Sequence, residues 1–237
     1  MNTIDTTMTL AALVDAHPQL AREFERRGLD YCCGGQQSLA DACAGRGLDA
    51  ATFNDLAATL TEGDAADWST FGVTDLVDHL EATHHRYLWG EMPRLSALIA
   101  KVMSVHGQRH PELADIASCY EEARADLEPH MLKEERVLFP MIRELAVATE
   151  PPSFHCGTLR NPISMMLREH DVVGGLLARL RLLTNGYETP ADGCASYAAC
   201  FTALAELEAD THLHIHKENN VLFPLVLRME SMLAVHG

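Results

Sequence analysis

The chain has 237 residues, 47% of them apolar, and a formal net charge of −16. That composition supplies a buried core and argues against disorder, while the acidic balance disfavours nucleic acid, whose phosphates need basic patches. No apolar run approaches the length that spans a bilayer, and the N-terminus lacks the basic start and long apolar core of a signal peptide. Seven cysteines without regular spacing do not make a disulfide framework, so the reducing cytoplasm is the expected compartment.

In chain order, residues 1–62 carry short amphipathic stretches. Thr9 is placed to cap LAALVDA, Pro18 suits the first turn of the helix that Gly28 ends, and Ser38 opens SLADACAGRG. Between them lies the loop DYCCGGQQ, and a last short helix is expected from Thr52 to about Leu60. Residues 62–72, EGDAADWSTFG, read as a linker.

From residue 73 to 237 the periods lengthen. Leu76, Leu80, Leu88, Leu95 and Ile99 predict a long helix from Thr74 to about Ser104, and Pro111 starts a second that reaches Leu145. A loop over 146–161 precedes a third helix from about Pro162 to Thr184. NGYETPADG then breaks the chain, and a fourth helix takes the rest. No strand signal rivals these, so the fold class is all-α. Pro129 is expected to kink the second helix, and Pro140 and Pro224 to bend or restart theirs.

Residues 126–140, DLEPHMLKEERVLFP, and 210–224, DTHLHIHKENNVLFP, are nearly one segment written twice, 84 positions apart, with eight of fifteen letters shared. His130 and Glu134, like His214 and Glu218, lie one helical turn apart on one face. His85 precedes His130 by 45 residues and His170 precedes His214 by 44, although His84 competes with His85. Each half thus offers a lone His and then His-x-x-x-Glu. Four histidines and two glutamates fit a metal pair inside a four-helix bundle, and imidazole with carboxylate suits iron. A structural duplication would keep the apolar tag without needing His and Glu.

Asp126 and Asp210, each one turn before a ligand His, are candidates to accept its other ring N–H, or else are solvated acids. Glu169, beside His170, either lines the access path or faces water. His212 and His216 fall off the ligand face and read as exposed or supporting residues. Cys32 and Cys33, followed by two glycines, sit in a loop that can present a thiol for redox exchange or transient metal handling; the alternative is two small buried residues.

With DYCCGG near its start, two His-x-x-x-Glu tags closed by LFP, and ENNVLFP near its end, the chain resembles the di-iron iron–sulfur cluster repair proteins of the Ric/ScdA/YtfE type. The resemblance covers almost the whole chain. It implies a small helical, cysteine-bearing N-terminal domain (residues 1–62) before a hemerythrin-like four-helix bundle (73–237). It also implies two non-haem iron ions with an oxo or hydroxo bridge, held by His85, His130, Glu134, His170, His214 and Glu218, both glutamates bridging. Cys32, Cys33 and Glu169 fall on the family's functional positions. The implied role is repair of iron–sulfur proteins damaged by nitric oxide or peroxide, through iron release or transfer or through nitric oxide removal. The competing reading is a scavenger or sensor of nitric oxide or dioxygen without turnover. A nitric oxide reductase would need an electron donor, and the oligomeric state, a homodimer included, stays open.

Overall fold

Thr9 and Ser38 each open a helix by accepting a backbone N–H, Thr9 from Ala12 and Ser38 from Asp41, both at 3.1 Å. They start α1 (Leu10–Ala16) and α3 (Leu39–Arg46), with α2 (Leu20–Arg26) between. Leu10, Leu13, Leu20, Phe24 and Leu39 bury their side chains in the core of this small unit. The computed structural model describes residues 4–53 and 68–236, so most of the helix expected from Thr52 lies outside the described residues.

Four long helices follow. In α4, Val73–Leu80 runs through a π turn at Glu81–His85 into Arg86–His106. In α5, Glu112–Lys133 passes through a π turn at Glu134–Leu138 into Phe139–Val147. Helix α6 is Arg160–Leu183, and α7 joins Ala195–His216, a π turn at Lys217–Leu222, and Phe223–His236. Among the described residues there is no strand, only two isolated bridges. Helix α4 packs on α5 and α7, and α6 on α5 and α7, which closes a four-helix bundle.

The prolines act differently from one another. The helical segment Glu112–Lys133 continues through Pro129, where a kink is expected. The departure from α geometry comes at Glu134 and at Lys217 instead, and the α segments restart at Phe139 and Phe223. Pro140 and Pro224 thus fall in a first turn, where a missing N–H costs little. Every π turn contains a candidate ligand: His85, Glu134 or Glu218. Single π turns often mark functional sites, because the extra residue resets the faces that follow.

The N-terminal unit docks on α7. His216 is fully buried, with Nε2 2.9 Å from Asp15 Oδ1, and Nδ1 of His212 lies 3.6 Å from Glu25. The off-face histidines therefore belong to the contact between the two parts of the chain and are not exposed. The expected linker is also packed at its end. Trp68 is buried, donates from Nε1 to Asp15 at 3.1 Å, and lies under the Lys217 ammonium, 4.6 Å from its ring centre.

Candidate metal centre

The His-x-x-x-Glu spacing places His130 above Glu134 on α5 and His214 above Glu218 on α7, both facing the bundle axis. Helices α4 and α6 add His85 and His170. All six side chains are at most 2% exposed. They form two groups that share both glutamates: His85 and His214 with Glu134 and Glu218, and His130 and His170 with the same pair. Within each group the donor atoms lie within 4.8 Å of one another. Each pair of histidines takes one member from each half of the repeat.

The Nε2 atoms point inward. Those of His85 and His214 are 3.2 Å apart, and those of His130 and His170 are 3.0 Å apart. Glu218 reaches His214 and His170 at 3.1 Å with one oxygen each, and Glu134 reaches His85 and His130 at 3.4 Å. Neither Glu134 oxygen makes a hydrogen bond, although the residue has no exposure at all. Two buried carboxylates so poorly partnered are costly, and a cation between them and the ring nitrogens supplies the missing charge. Two histidines and two shared carboxylates per position suit an iron-type ion, and no thiolate is present to favour structural zinc.

The electrostatics agree with the geometry. Burial alone would raise the Glu134 carboxyl, but His130 and His85 hold it well below the usual carboxylate range. Glu218 is also lowered, against burial and the neighbouring Glu134, by His214 and His170. Burial depresses His130, yet Glu134, Glu218 and Glu169 overcome it and push the ring up to about 9. The pocket is a field that favours positive charge.

Outer partners fix three of the four rings. Nδ1 of His85 donates to Glu135 at 2.9 Å, and Trp89 Nε1 donates to the same oxygen at 2.8 Å. His130 Nδ1 donates to Glu169 at 2.8 Å, and Lys133 holds the other Glu169 oxygen. His170 Nδ1 donates to Asn219 Oδ1 at 2.7 Å. With Nδ1 donating to these partners, each Nε2 faces inward, where a cation would take the place of any second ring proton. His214 Nδ1 has no hydrogen-bond partner among the described residues.

The repeat offers Asp126 and Asp210 either as acceptors for the His one turn on or as solvated acids, and neither serves as that acceptor. Asp126 is exposed, while Asp210 takes His84 Nδ1 at 2.9 Å. His84 stands outside both groups. Its ring stacks on His214 with centroids 5.4 Å apart, and its Nε2 meets Lys217 Nζ at 2.8 Å. Glu169 orients His130. Glu135 and Asn219 were missed by sequence reasoning, although they occupy one position in the repeat, directly after each shared glutamate. That equivalence was the signal available.

The cysteine loop lies against this centre. Asn219 and Asn220 both donate to the Cys32 carbonyl, at 3.3 and 3.0 Å. Asn219 therefore joins the loop backbone on one side to the His170 ring on the other. A Cβ at Gly35 would meet the Tyr31 carbonyl at 2.4 Å and Asn220 Oδ1 at 3.1 Å, so only glycine lets the loop approach α7 this closely. Cys32 is buried and Cys33 half-buried.

Residues 75–226 match the model of the hemerythrin HHE cation binding domain, and residues 6–60 match ScdA_N, a domain of unknown function. A probable iron–sulfur cluster repair protein of Haemophilus influenzae is 33% identical over 224 residues, 92% of this chain and 96% of the relative. The iron–sulfur cluster repair proteins YtfE of Citrobacter koseri and of an Enterobacter species are 32% and 33% identical over 222 residues, 93% of this chain and 97% of theirs. The paired glutamates, the cysteine loop and similarity along nearly the full length converge: the chain belongs to the iron–sulfur cluster repair protein family, with a hemerythrin HHE cation binding domain as its bundle.

Proposed function

We propose that this protein holds two non-haem irons and repairs iron–sulfur clusters damaged by nitrosative or oxidative stress. The observation that carries the reading is the sharing of Glu134 and Glu218 by two histidine pairs, in a chain whose relatives bear the repair name over more than nine-tenths of its length. In this reading His85 and His214 hold one ion, His130 and His170 the other, and the two carboxylates bridge them, with an oxo or hydroxo group completing the bridge. When bound, the metal pair supplies ligand exchange and one-electron chemistry towards small molecules and iron itself.

The chain's own residues do the rest. Glu135, Glu169 and Asn219 keep ring protons on Nδ1, so the inward nitrogens stay available as ligands. The apolar wall of Phe139 and Phe223, stacked on His85 and His170, keeps water from competing at the rings. Neutral imidazoles and only two carboxylates leave the site less anionic than an all-carboxylate one, which suits a centre that must also let iron go. Iron–sulfur proteins are the proposed clients, with nitric oxide or dioxygen as small ligands.

The test is reactivation of a nitric-oxide-damaged cluster enzyme after the nitric oxide has been removed. A repair protein restores activity at less than one molecule per enzyme. Protection only when the protein is present before damage would instead establish a scavenger and defeat the repair reading.

A further inference from the structure

A cleft of about 480 Å³ opens between the N-terminal unit and the α6–α7 face, and Asp30, Cys32, Cys33, Gly174 and His212 line it. In its lining the donor atoms of the exposed Asp30, buried Cys32 and half-buried Cys33 lie within 4.8 Å of one another. The two sulfurs are 3.8 Å apart, and Cys32 Sγ is 3.3 Å from Asp30 Oδ1. Two metal–sulfur bonds of about 2.3 Å at a tetrahedral angle set their sulfurs about 3.8 Å apart, and a carboxylate oxygen at about 2.1 Å sits roughly 3.6 Å from each. The loop already holds nearly that spacing.

Its backbone explains why. Asp30 Oδ1 accepts the N–H groups of Cys32 and Cys33, at 3.1 and 2.9 Å, which turns both side chains to one side. A Cβ at Gly34 would stand 3.1 Å from Asp30 Oδ2, so the glycine leaves the second carboxylate oxygen room. On the bundle side, a Cβ at Gly174 would lie 3.8 Å from Cys33 Sγ, so α6 meets the thiol with backbone only and leaves the space beside it open.

We infer that Asp30, Cys32 and Cys33 form a second, separate cation site, for one thiophilic divalent ion of the Fe²⁺, Co²⁺ or Zn²⁺ class, with its fourth position open to the cleft. Binding replaces two thiol protons by the ion, and two thiolates with one carboxylate carry it. The Cys32 thiol donates to Cys33 Sγ, and that bond together with burial holds it well above its ordinary pKa, so an arriving ion must displace the proton. The site adds to the repair reading a place where a single iron can rest on its way to or from a client, yet it stands on the loop geometry alone.

The probe is Co²⁺, titrated into full-length, iron-loaded protein kept reduced by a phosphine. The expected result is one further Co²⁺ per chain with a sulfur-to-cobalt charge-transfer band. Cys32→Ser with Cys33→Ser removes the band. Asp30→Asn, which keeps an oxygen for the loop N–H groups, weakens binding by about tenfold or more. A measurement on the parent protein covers the chance that variants misfold: saturating Zn²⁺ slows alkylation of Cys32 and Cys33, mapped by peptide, while the exposed Cys194 reacts unchanged. Absence of the band at saturation, or alkylation of the pair at an unaltered rate, overturns the site. A band without any cluster reactivation leaves the site standing and removes the repair reading; reactivation without a band does the reverse.

Discussion

Asn219→Ala isolates the link between the cysteine loop and the bundle. The substitution deletes the acceptor 2.7 Å from His170 Nδ1 and one of the two donors to the Cys32 carbonyl. Loss of such an outer partner lowers metal affinity by roughly 10- to 100-fold, about 1.4 to 2.8 kcal/mol, because the ring can turn or move its proton to Nε2. The other donor gives the control: Asn220 bonds the same carbonyl at 3.0 Å while its other side-chain partners are Gln36 and His216 and not His170, so Asn220→Ala disturbs the loop and spares the His170 hydrogen bond. Under the proposed ligand set only one of the two ions uses His170. Competition with a chromogenic ferrous chelator should therefore show one iron leaving Asn219→Ala early and the other leaving as in the parent. Asn219→Asp, which keeps an acceptor, should retain both. Equal retention by the two alanine variants, or loss of both irons together from Asn219→Ala, would refute the reasoning.

Metal analysis with Mössbauer spectroscopy should find two coupled irons per chain; a single uncoupled iron or fully occupied zinc would contradict the shared-glutamate reading. Glu134→Ala or Glu218→Ala should lose iron, whereas His216→Ala should keep it and lose about 1 kcal/mol of stability with its bond to Asp15, which is partly exposed and keeps Trp68 as a donor. Iron loss from His216→Ala, measured beside its urea midpoint, would show that the ligand face is drawn wrongly. Cys32→Ser with Cys33→Ser should keep the di-iron spectrum while cluster reactivation falls; full activity would make the thiols structural. Burial lowers the His84 pKa from 6.5 to about 4, so its neutral form contributes stability that is present above pH 6.5 and is lost as pH falls towards 4, on the order of 3 kcal/mol in total. Urea unfolding of chelator-treated protein at pH 7 and pH 5 should show about 2 kcal/mol of that loss, and His84→Gln should flatten it; an unchanged pH slope in the variant would assign the effect to other groups.

The helices were legible because their signals are local. Thr9 and Ser38 cap where the sequence places caps, and the apolar spacing from Leu76 to Ile99 follows one face of α4. The six inward residues were legible for a different reason: two copies of His-x-x-x-Glu at one offset make a pattern that chance and packing do not supply. What stayed hidden depended on contacts between distant segments. Asp210 lies one turn from His214 in sequence, but the bundle sets α4 beside α7 and gives it to His84 instead. His216 reads as off-face because its partner, Asp15, is 201 residues away in the chain. The π turns left no trace of their own in the periodicity, although Pro140 and Pro224 do mark where the α segments restart.

The position after each shared glutamate is Glu135 in the first half and Asn219 in the second, and each orients the lone histidine of its own half. A duplicated segment would by itself make two interchangeable seats. Here one copy kept a charged acceptor and the other took a neutral amide that also grips the N-terminal unit. A carboxylate behind an imidazole makes it a stronger donor to a cation than an amide does. Under the proposed ligand set the two seats therefore differ in their outer partners. A carboxylate backs His85 and another backs His130, an amide backs His170, and His214 Nδ1 has no hydrogen-bond partner among the described residues, so it is at His170 that an outer partner also grips the N-terminal unit. Any change in how the cysteine loop sits on the bundle is thus transmitted through Asn219 to one ring of one seat.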